Sequence, residues 1–499
     1  MVEPSSRLAG AARDFLALGV GNYGAMAVGL AINMLLARRL GTDGYGRLAL
    51  MLMASQVLLL VAVSWTNAGF VRFASREHAA RCTVAETLWA RLSILVPAAA
   101  AGVLVVLAVQ RPLAAYLEIP QAAVWLIVLH FSAASALSVI GAVFQASERM
   151  AHYGACLFLD KAAMLLCILL FPAAWTHNPM VVVGCYAASS LLVAMWGVSV
   201  VGLTAIRPTM ATRSAYRELI LFSVPLLFST WAGFFGANWF DLAILKWYVP
   251  LSGVGVYSLG AQLAGVAQQL AIIFSTLVFP SLSVMVAEGQ DVRIRTLAER
   301  LLPYWLLGTA VLFTVVIICA REGIPLMFGR AFSGTAPILA LLMVATWALT
   351  LFTACAPVVA AYGSMWVLSG ITLASAVANV MLDLVLIPPL GGAGSALATV
   401  LAYGLSALLV LVFLQRRIGG RLLRLGWVGA PVVVGCVSFV VLEGPWFYAT
   451  AVGAAFITVA VLVGAFRLFH TDDAVFFRDL RLPLPFWRGA GLAAGRRSS

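Results

Sequence analysis

Residues Ala37–Leu50 read ARRLGTDGYGRLAL, and they interrupt an apolar run that begins near Phe15. Two arginines followed by glycines at 41, 44 and 46, with hydrophobicity resuming at once, are the pattern of a hairpin tip between two membrane helices. The stretch has an echo. From Asp241 to Leu263 the chain reads DLAILKWYVPLSGVGVYSLGAQL, so that Lys246 and Gly255-Val256-Tyr257 stand roughly where Arg38 and Gly44-Tyr45 stand. Tyr45 and Tyr257 lie 212 positions apart. Three further landmarks keep a similar offset: Arg111 with Arg321 (210), Tyr153-Gly154 with Tyr362-Gly363 (209) and Tyr186 with Tyr403 (217). An offset shared by four landmarks is the signature of an internal repeat.

The composition states what kind of unit is repeated. Hydrophobic residues make up 63% of the 499 residues, charged residues 10%, and the mean hydropathy is +1.03. No soluble surface is covered by so few polar groups, so the chain is a polytopic membrane protein. Inside lipid every backbone N–H and C=O must be paired within the segment, which makes the apolar runs helices. The sequence predicts an all-α membrane protein of about 14 transmembrane helices. Two parallel six-helix repeats, 1–217 and 218–425, are followed by two extra C-terminal helices over 426–466 and a basic cytoplasmic tail over 467–499. Six helices per repeat is an even number, so both halves enter the membrane from the same side, with a central cavity between two lobes.

The net charge of +12 is read by its sidedness. Of the 31 Lys and Arg, seven fall outside in this topology (Arg38, Arg39, Arg47, Arg111, Lys246, Arg321, Arg330) and Lys161 lies within a helix. The rest are cytoplasmic, which places both termini inside. A cleaved signal peptide is not expected. The tail mixes Arg478, Arg481, Arg488, Arg496 and Arg497 with Phe476, Phe477, Phe486 and Trp487, a composition suited to an anionic lipid surface. The seven cysteines are scattered without CxxC spacing and read as packing residues, with no disulfide or metal signal.

The loops are short and leave no room for soluble enzyme chemistry. The two lysines, Lys161 in FLDKA and Lys246 in ILKW, are not in a P-loop, and HExxH is absent. Gly391-Gly392-Ala393-Gly394 reads as a turn joining two spans. No enzyme activity and no cofactor are expected.

Ionisable groups at membrane depth are therefore the functional candidates. Asp160 and Lys161 lie seven and eight residues past Tyr153, roughly 10 to 12 Å along a helix. Neighbours on a helix point about 100° apart, so the two are expected to neutralise each other poorly and to need other partners. Their counterparts at an offset of 209 are Ser369 and Gly370, so the pair belongs to one half only. Asp383, also without a counterpart, reads either as an outer-cavity carboxylate or as a solvated helix end. Asp241 reads as a lip-level partner of Lys246, and His130 as a hydrogen-bonded packing residue more than a proton relay. Arg72 and Arg91, nearest the span mouths, are topology signals that also suit a diphosphate, since arginine makes bidentate phosphate contacts.

ARRLGTDGYGRLAL resembles the R-x-L-G-x-x-x-Y-G hairpin of the lipid-linked oligosaccharide flippases, the O-antigen and exopolysaccharide transporters. Pro225, Asn238, Asp241, Gly255, Tyr257, Ser258 and Leu259 are similar to that family's P-L-L, N-x-x-D and G-x-Y-S-L series. Ala378–Thr399, ANVMLDLVLIPPLGGAGSALAT, is similar to its turn between the eleventh and twelfth spans. The family commonly has a basic residue after the aspartate of N-x-x-D, where this chain has Leu242. The resemblance implies the multidrug/oligosaccharidyl-lipid/polysaccharide exporter superfamily, with two MATE-like lobes that open alternately to either side. It implies carriage of an undecaprenyl-diphosphate-linked oligosaccharide from the cytoplasmic to the periplasmic leaflet of a bacterial inner membrane. On this reading Lys161, Arg72 and Arg91 receive the diphosphate, while Asp160, Asp383 and Asp241 are the candidates for H⁺ or Na⁺ coupling. The expected partners are the polyprenyl-diphosphate glycan, membrane lipids and, in the same pathway, a glycan polymerase and a chain-length regulator. No nucleic acid is expected, and the chain is expected to be a monomer. A cation-coupled multidrug exporter of the same fold is the alternative, recognisable by an acidic cavity lining. A membrane glycan polymerase would want a large periplasmic loop, and a non-transporting scaffold an apolar cavity.

Overall fold

The computed structural model describes residues 4–202, 207, 209–235, 238–362, 365–442 and 444–465. Among them all regular structure is helical, with no strand. The basic tail over 467–499 lies outside the described residues.

The helices run α1 (Pro4–Ala62), α2 (Asn67–Arg81), α3 (Ala85–Ala108), α4 (Gln110–Leu117), α5 (Val124–Ala146) and α6 (Met150–Leu170). Then come α7 (Ala173–Thr176), α8 (Pro179–Val201), α9 (Arg213–Phe235), α10 (Asn238–Tyr248) and α11 (Leu251–Ala287). The last six are α12 (Asp291–Phe328), α13 (Thr335–Ala361), α14 (Met365–Leu390), α15 (Gly392–Ile418), α16 (Ala430–Val441) and α17 (Pro445–Ala465). Among the described residues 11 stretches are long and apolar enough to cross a membrane, the first being Leu18–Ala62.

That first stretch is a hairpin. Gly41 leaves the helical conformation at φ 65°, ψ −176°, a backbone position open to glycine at little cost. Tyr45 Oη donates to Asn33 Oδ1 at 3.2 Å. In a straight helix, 12 residues separate two Cα atoms by about 18 Å, so the bond requires the chain to fold back at Gly41. The two arginines of the tip then serve as helix caps. Arg38 donates to the carbonyls of Leu326 and Met327 in the last turn of α12, and Arg39 to that of Ile168 in the last turn of α6 and to Thr176. These carbonyls have no partner within their own helices.

Close backbone contact does the rest. A Cβ on Gly46 would lie 2.2 Å from the carbonyl oxygen of Leu251, and one on Gly255 would lie 2.0 Å from that of Thr42. The contact is reciprocal at an offset of 209: Thr42 corresponds to Leu251 and Gly46 to Gly255. Gly21 meets the backbone of Gly154 in the same way, with a Cβ to oxygen distance of 2.4 Å, which seats α1 on α6. In lipid, where apolar helices gain nothing by hiding from water, such small-residue contacts supply the packing. Gly391, at φ 57°, makes the turn between α14 and α15 that the sequence predicts.

Two compact units are present. The first comprises the described residues through Ala267 with Cys319–Ala345 and Ser369–Leu405, the second Gln268–Ile318, Thr346–Leu368 and the described residues from Ser406 onward. The boundary between them falls within α11 to α15.

Candidate functional site

The first unit holds two polar networks at membrane depth. Asp160, on α6, is 8% exposed. Its Oδ1 accepts from Ser190 at 2.8 Å and Ser189 at 3.3 Å, both on α8. Its Oδ2 accepts from Lys161 Nζ at 3.0 Å. This corrects the expectation that Asp160 and Lys161 neutralise each other poorly. Adjacent side chains do leave a helix at different angles, but the four-carbon lysine arm is long enough to fold back across that angle. The ammonium stays 37% exposed along its side chain and stands over the Tyr186 ring at 5.7 Å. His130 bonds Ser55 at 2.8 Å and meets Tyr186 edge-on, which is the packing role read from the sequence.

The two arginines lie in unlike surroundings. Arg72 is exposed and stacks on Phe222 at 4.7 Å. Arg91 is fully buried: its guanidinium donates to Thr66 at 3.0 Å and to Asn67, and lies over Phe70 at 4.9 Å. Thr66 and Asn67 mark the break between α1 and α2, so Arg91 fastens that break. Its Nη1 has no hydrogen-bond partner.

The second network joins two residues that the sequence places 142 positions apart. Asp241 on α10 and Asp383 on α14 are both fully buried. Asn379 Nδ2 donates to Asp241 Oδ1 at 2.8 Å and to Asp383 Oδ2 at 3.2 Å, bridging the two carboxyl groups. Asp241 Oδ2 accepts from Tyr257 Oη at 2.8 Å and lies 3.3 Å from Thr399 Oγ1, which is also 3.0 Å from the Ser395 carbonyl. Neither carboxyl group has an ion-pair partner among the described residues. Asp383 Oδ1, Asn379 Oδ1 and Ser395 Oγ are buried and make no hydrogen bond of good geometry, although Asp383 lies close to both Asp241 and Ser395.

Two expectations are corrected here. Asp241 does not pair with Lys246 at the lip: five residues along a helix turn about 140°, and Lys246 instead reaches Glu118 at 2.5 Å. Nearby, Tyr116 Oη donates to the Ala243 carbonyl at 2.6 Å, and burial pushes this tyrosine up to about 12, keeping it a neutral donor. Asp383 is not a solvated helix end but a buried group. Asn379, Ser395 and Thr399 were not singled out from the sequence. They carry a legible signal, since Asn379 with Asp383 and Ser395 with Thr399 are two polar pairs at i, i+4 in apolar spans, each lining one helix face.

Two buried carboxyl groups sharing one amide cannot both hold an uncompensated charge. The first-unit networks thus differ in kind. Asp160 has a built-in ammonium. Asp241 and Asp383 have none, and the Asn379 carbonyl oxygen and the Ser395 hydroxyl lie beside them without a well-formed hydrogen bond, a set of oxygens that fits a proton or a small hard cation.

The family described as polysaccharide biosynthesis protein matches residues 11–286, more than half of the chain. The chain belongs to that family. The chain is also similar to the probable low-salt glycan biosynthesis flippase Agl15 of Haloferax volcanii, at 20% identity over 299 residues, 59% of this chain. The chain spans about three fifths of that relative's length, 61%. Among solved structures it resembles the lipid II flippase MurJ in an inward closed conformation, with a TM-score of 0.70 and 10% identity over 93% of this chain and 99% of that one. It also resembles an inward-facing multidrug resistance MATE family transporter of the MOP superfamily, with a TM-score of 0.61 and 13% identity over 81% and 98%. At these identities the likeness is one of fold alone: the chain shares the helical architecture of these two structures.

Proposed function

We propose that this protein is a flippase that moves an undecaprenyl-diphosphate-linked oligosaccharide from the cytoplasmic to the periplasmic leaflet by alternating access, coupled to H⁺ or Na⁺. In this reading the six-helix lobes are 1–217 and 218–425, with two further spans over 426–466 and both termini in the cytoplasm. The count of 14 spans follows from dividing α1 at Gly41 and taking α9 and α11 as crossings. The observation that carries the coupling is the Asp241–Asn379–Asp383 bridge without a counter-charge. A bound cation supplies the missing positive charge. Asn379 holds the two carboxyl groups together, and Tyr257 and Thr399 orient Asp241 toward it.

Cargo recognition is assigned to cations. The half-exposed Lys161, with Arg72, receives the diphosphate, and the enclosed Arg91 joins them if the break at Thr66–Asn67 opens. A lipid tail stays in the bilayer while the charged head crosses a hydrated cavity, so no polar group enters hydrocarbon unpaired. These half-exposed and exposed cations favour an anionic head over the organic cation of a multidrug exporter.

The test is removal of the protein from its host, followed by mass analysis of polyprenyl-diphosphate intermediates. Accumulation of a completed lipid-linked oligosaccharide is expected and identifies the sugar. Unchanged pools of such lipids would refute the reading. Reintroduced Lys161→Ala at equal abundance is expected to leave the pool high, and full restoration by it would remove Lys161 from the site.

A further inference from the structure

Residues Leu422–Gly429, in the second unit, form a 3-10 helix of eight residues, longer than the three or four usual for this geometry. With three residues per turn, side chains at i and i+3 stack into ridges. Leu422, Leu425 and Val428 make a buried ridge. Arg421, Arg424 and Trp427 make an exposed one, with Trp427 72% exposed and Leu423 beside it at 41%.

The segment belongs at a membrane surface. α16 has only 12 residues, about 18 Å, and crosses a hydrocarbon core about 30 Å thick only as a continuation of the 3-10 helix. The two together form one candidate span, Leu422–Val441. Arg421 and Arg424 then fall at the lipid–water boundary with Trp427 one turn deeper, the order in which guanidinium and indole groups settle in an interface. Beyond them α16 turns an apolar stripe outward, Val433, Val437 and Val440.

The turn that feeds this segment packs closely against Glu299 of α12, whose carboxylate is already engaged. Gly419 and Gly420 have φ of 74° and 88°, and a Cβ on Gly420 would lie 2.3 Å from Glu299 Oε1. That same oxygen pairs with Arg295 at 3.1 Å and accepts the Arg421 backbone N–H at 3.3 Å. Leu423 N–H donates to Gln415 Oε1 at 3.0 Å. Arg416 and Arg417 stand exposed at the end of α15, with Arg417 over the Tyr362 ring at 5.2 Å. None of Arg416, Arg417, Arg421 and Arg424 has an ion-pair partner among the described residues.

We propose that these four arginines and Trp427 form a binding site for the phosphodiester headgroup of an anionic glycerophospholipid, its acyl chains lying along the valine stripe of α16. Guanidinium groups on both sides of the Gly419–Gly420 turn offer bidentate donors to phosphate, and a basic cluster beside a span is attracted to anionic lipid. The site is independent of the transport reading.

Native mass spectrometry of the full-length protein, titrated with phosphatidylglycerol or phosphatidylcholine, tests it. Phosphatidylglycerol is expected to bind in preference, and more weakly as ionic strength is raised. Arg421→Ala/Arg424→Ala is expected to weaken it about 10- to 30-fold, while Arg207→Ala/Arg213→Ala in another basic loop leaves it unchanged. Equal binding of the two lipids, salt insensitivity in the unaltered protein, or equal losses in both double variants would overturn the assignment. Stoichiometric displacement of phosphatidylglycerol by a polyprenyl diphosphate would overturn it too, by giving the arginines to the carrier. The salt and lipid comparisons need no variant, so they stand even if the double alanine protein does not fold.

Discussion

Asn33 and Asp241 give two buried tyrosines acceptors of different kind. Tyr45 and Tyr257, each just after a turn between two helices, are both fully buried, and each donates to a residue in the helix before its turn. The acceptor is the Asn33 amide in the first half and the Asp241 carboxyl group in the second. An amide leaves its surroundings neutral. A carboxyl group beside a second one does not. Asp383→Asn and Asp241→Asn are each expected to lower cation-driven transport about 10- to 100-fold, measured with labelled lipid-linked glycan in proteoliposomes, while Thr399→Val lowers it less because Tyr257 still orients Asp241. At the other network, Lys161→Ala leaves Asp160 buried with hydroxyl partners alone and is expected to cost about 1–3 kcal/mol, less than a fully buried pair because Lys161 is half exposed. The double variant Asp160→Asn/Lys161→Met should melt closer to the unaltered protein than Lys161→Ala does, as thermal unfolding in detergent will show.

Elements in this protein meet where they lack side chains. The hairpin tip at Ala37–Leu50 contributes Gly46 to the crossing with α11 and two arginines to the ends of α6 and α12. Adding one methyl at Gly46 or Gly255 forces a carbonyl oxygen away from a position 2.2 or 2.0 Å from the new carbon. Gly46→Ala and Gly255→Ala are therefore each expected to destabilise the crossing by about 1–3 kcal/mol. Cysteine labelling of residues beside the crossing should report its opening, and unchanged labelling with an unchanged melting temperature would contradict the close contact. Gly44→Ala is a useful comparison, since its nearest neighbour is the Leu40 side chain at 3.1 Å and no backbone stands in the way.

For the molecule as a whole, the proposed coupling at Asp241 and Asp383 would link the direction of glycan movement to the cation gradient. Imposing an Na⁺ or H⁺ gradient across proteoliposomes is expected to accelerate flipping, and an ionophore to return it to slow equilibration. Only one of the two ions should do this, and the Asp383→Asn protein should respond to neither. Acceleration retained in that variant would move the coupling elsewhere.

Hydropathy determined the helical membrane class, because backbone groups in lipid have no partners but their own helix, and local chemistry determined the hairpin at Gly41 and the turn at Gly391. The offset near 209 was likewise legible, and it returns in the Gly46–Gly255 contact. What the sequence could not decide was which distant groups meet. Asp241 precedes Lys246 by five residues and Asp383 stands near a helix end, so local reasoning paired the first with the lysine and left the second between an outer-cavity carboxylate and a solvated helix end. Packing of α10 against α14 and α15 instead buries both carboxyl groups around Asn379. The sign of a charge is written in the residue, whereas its neighbours and its access to water are set by helices that come together across more than a hundred positions, and only the tertiary structure decides those.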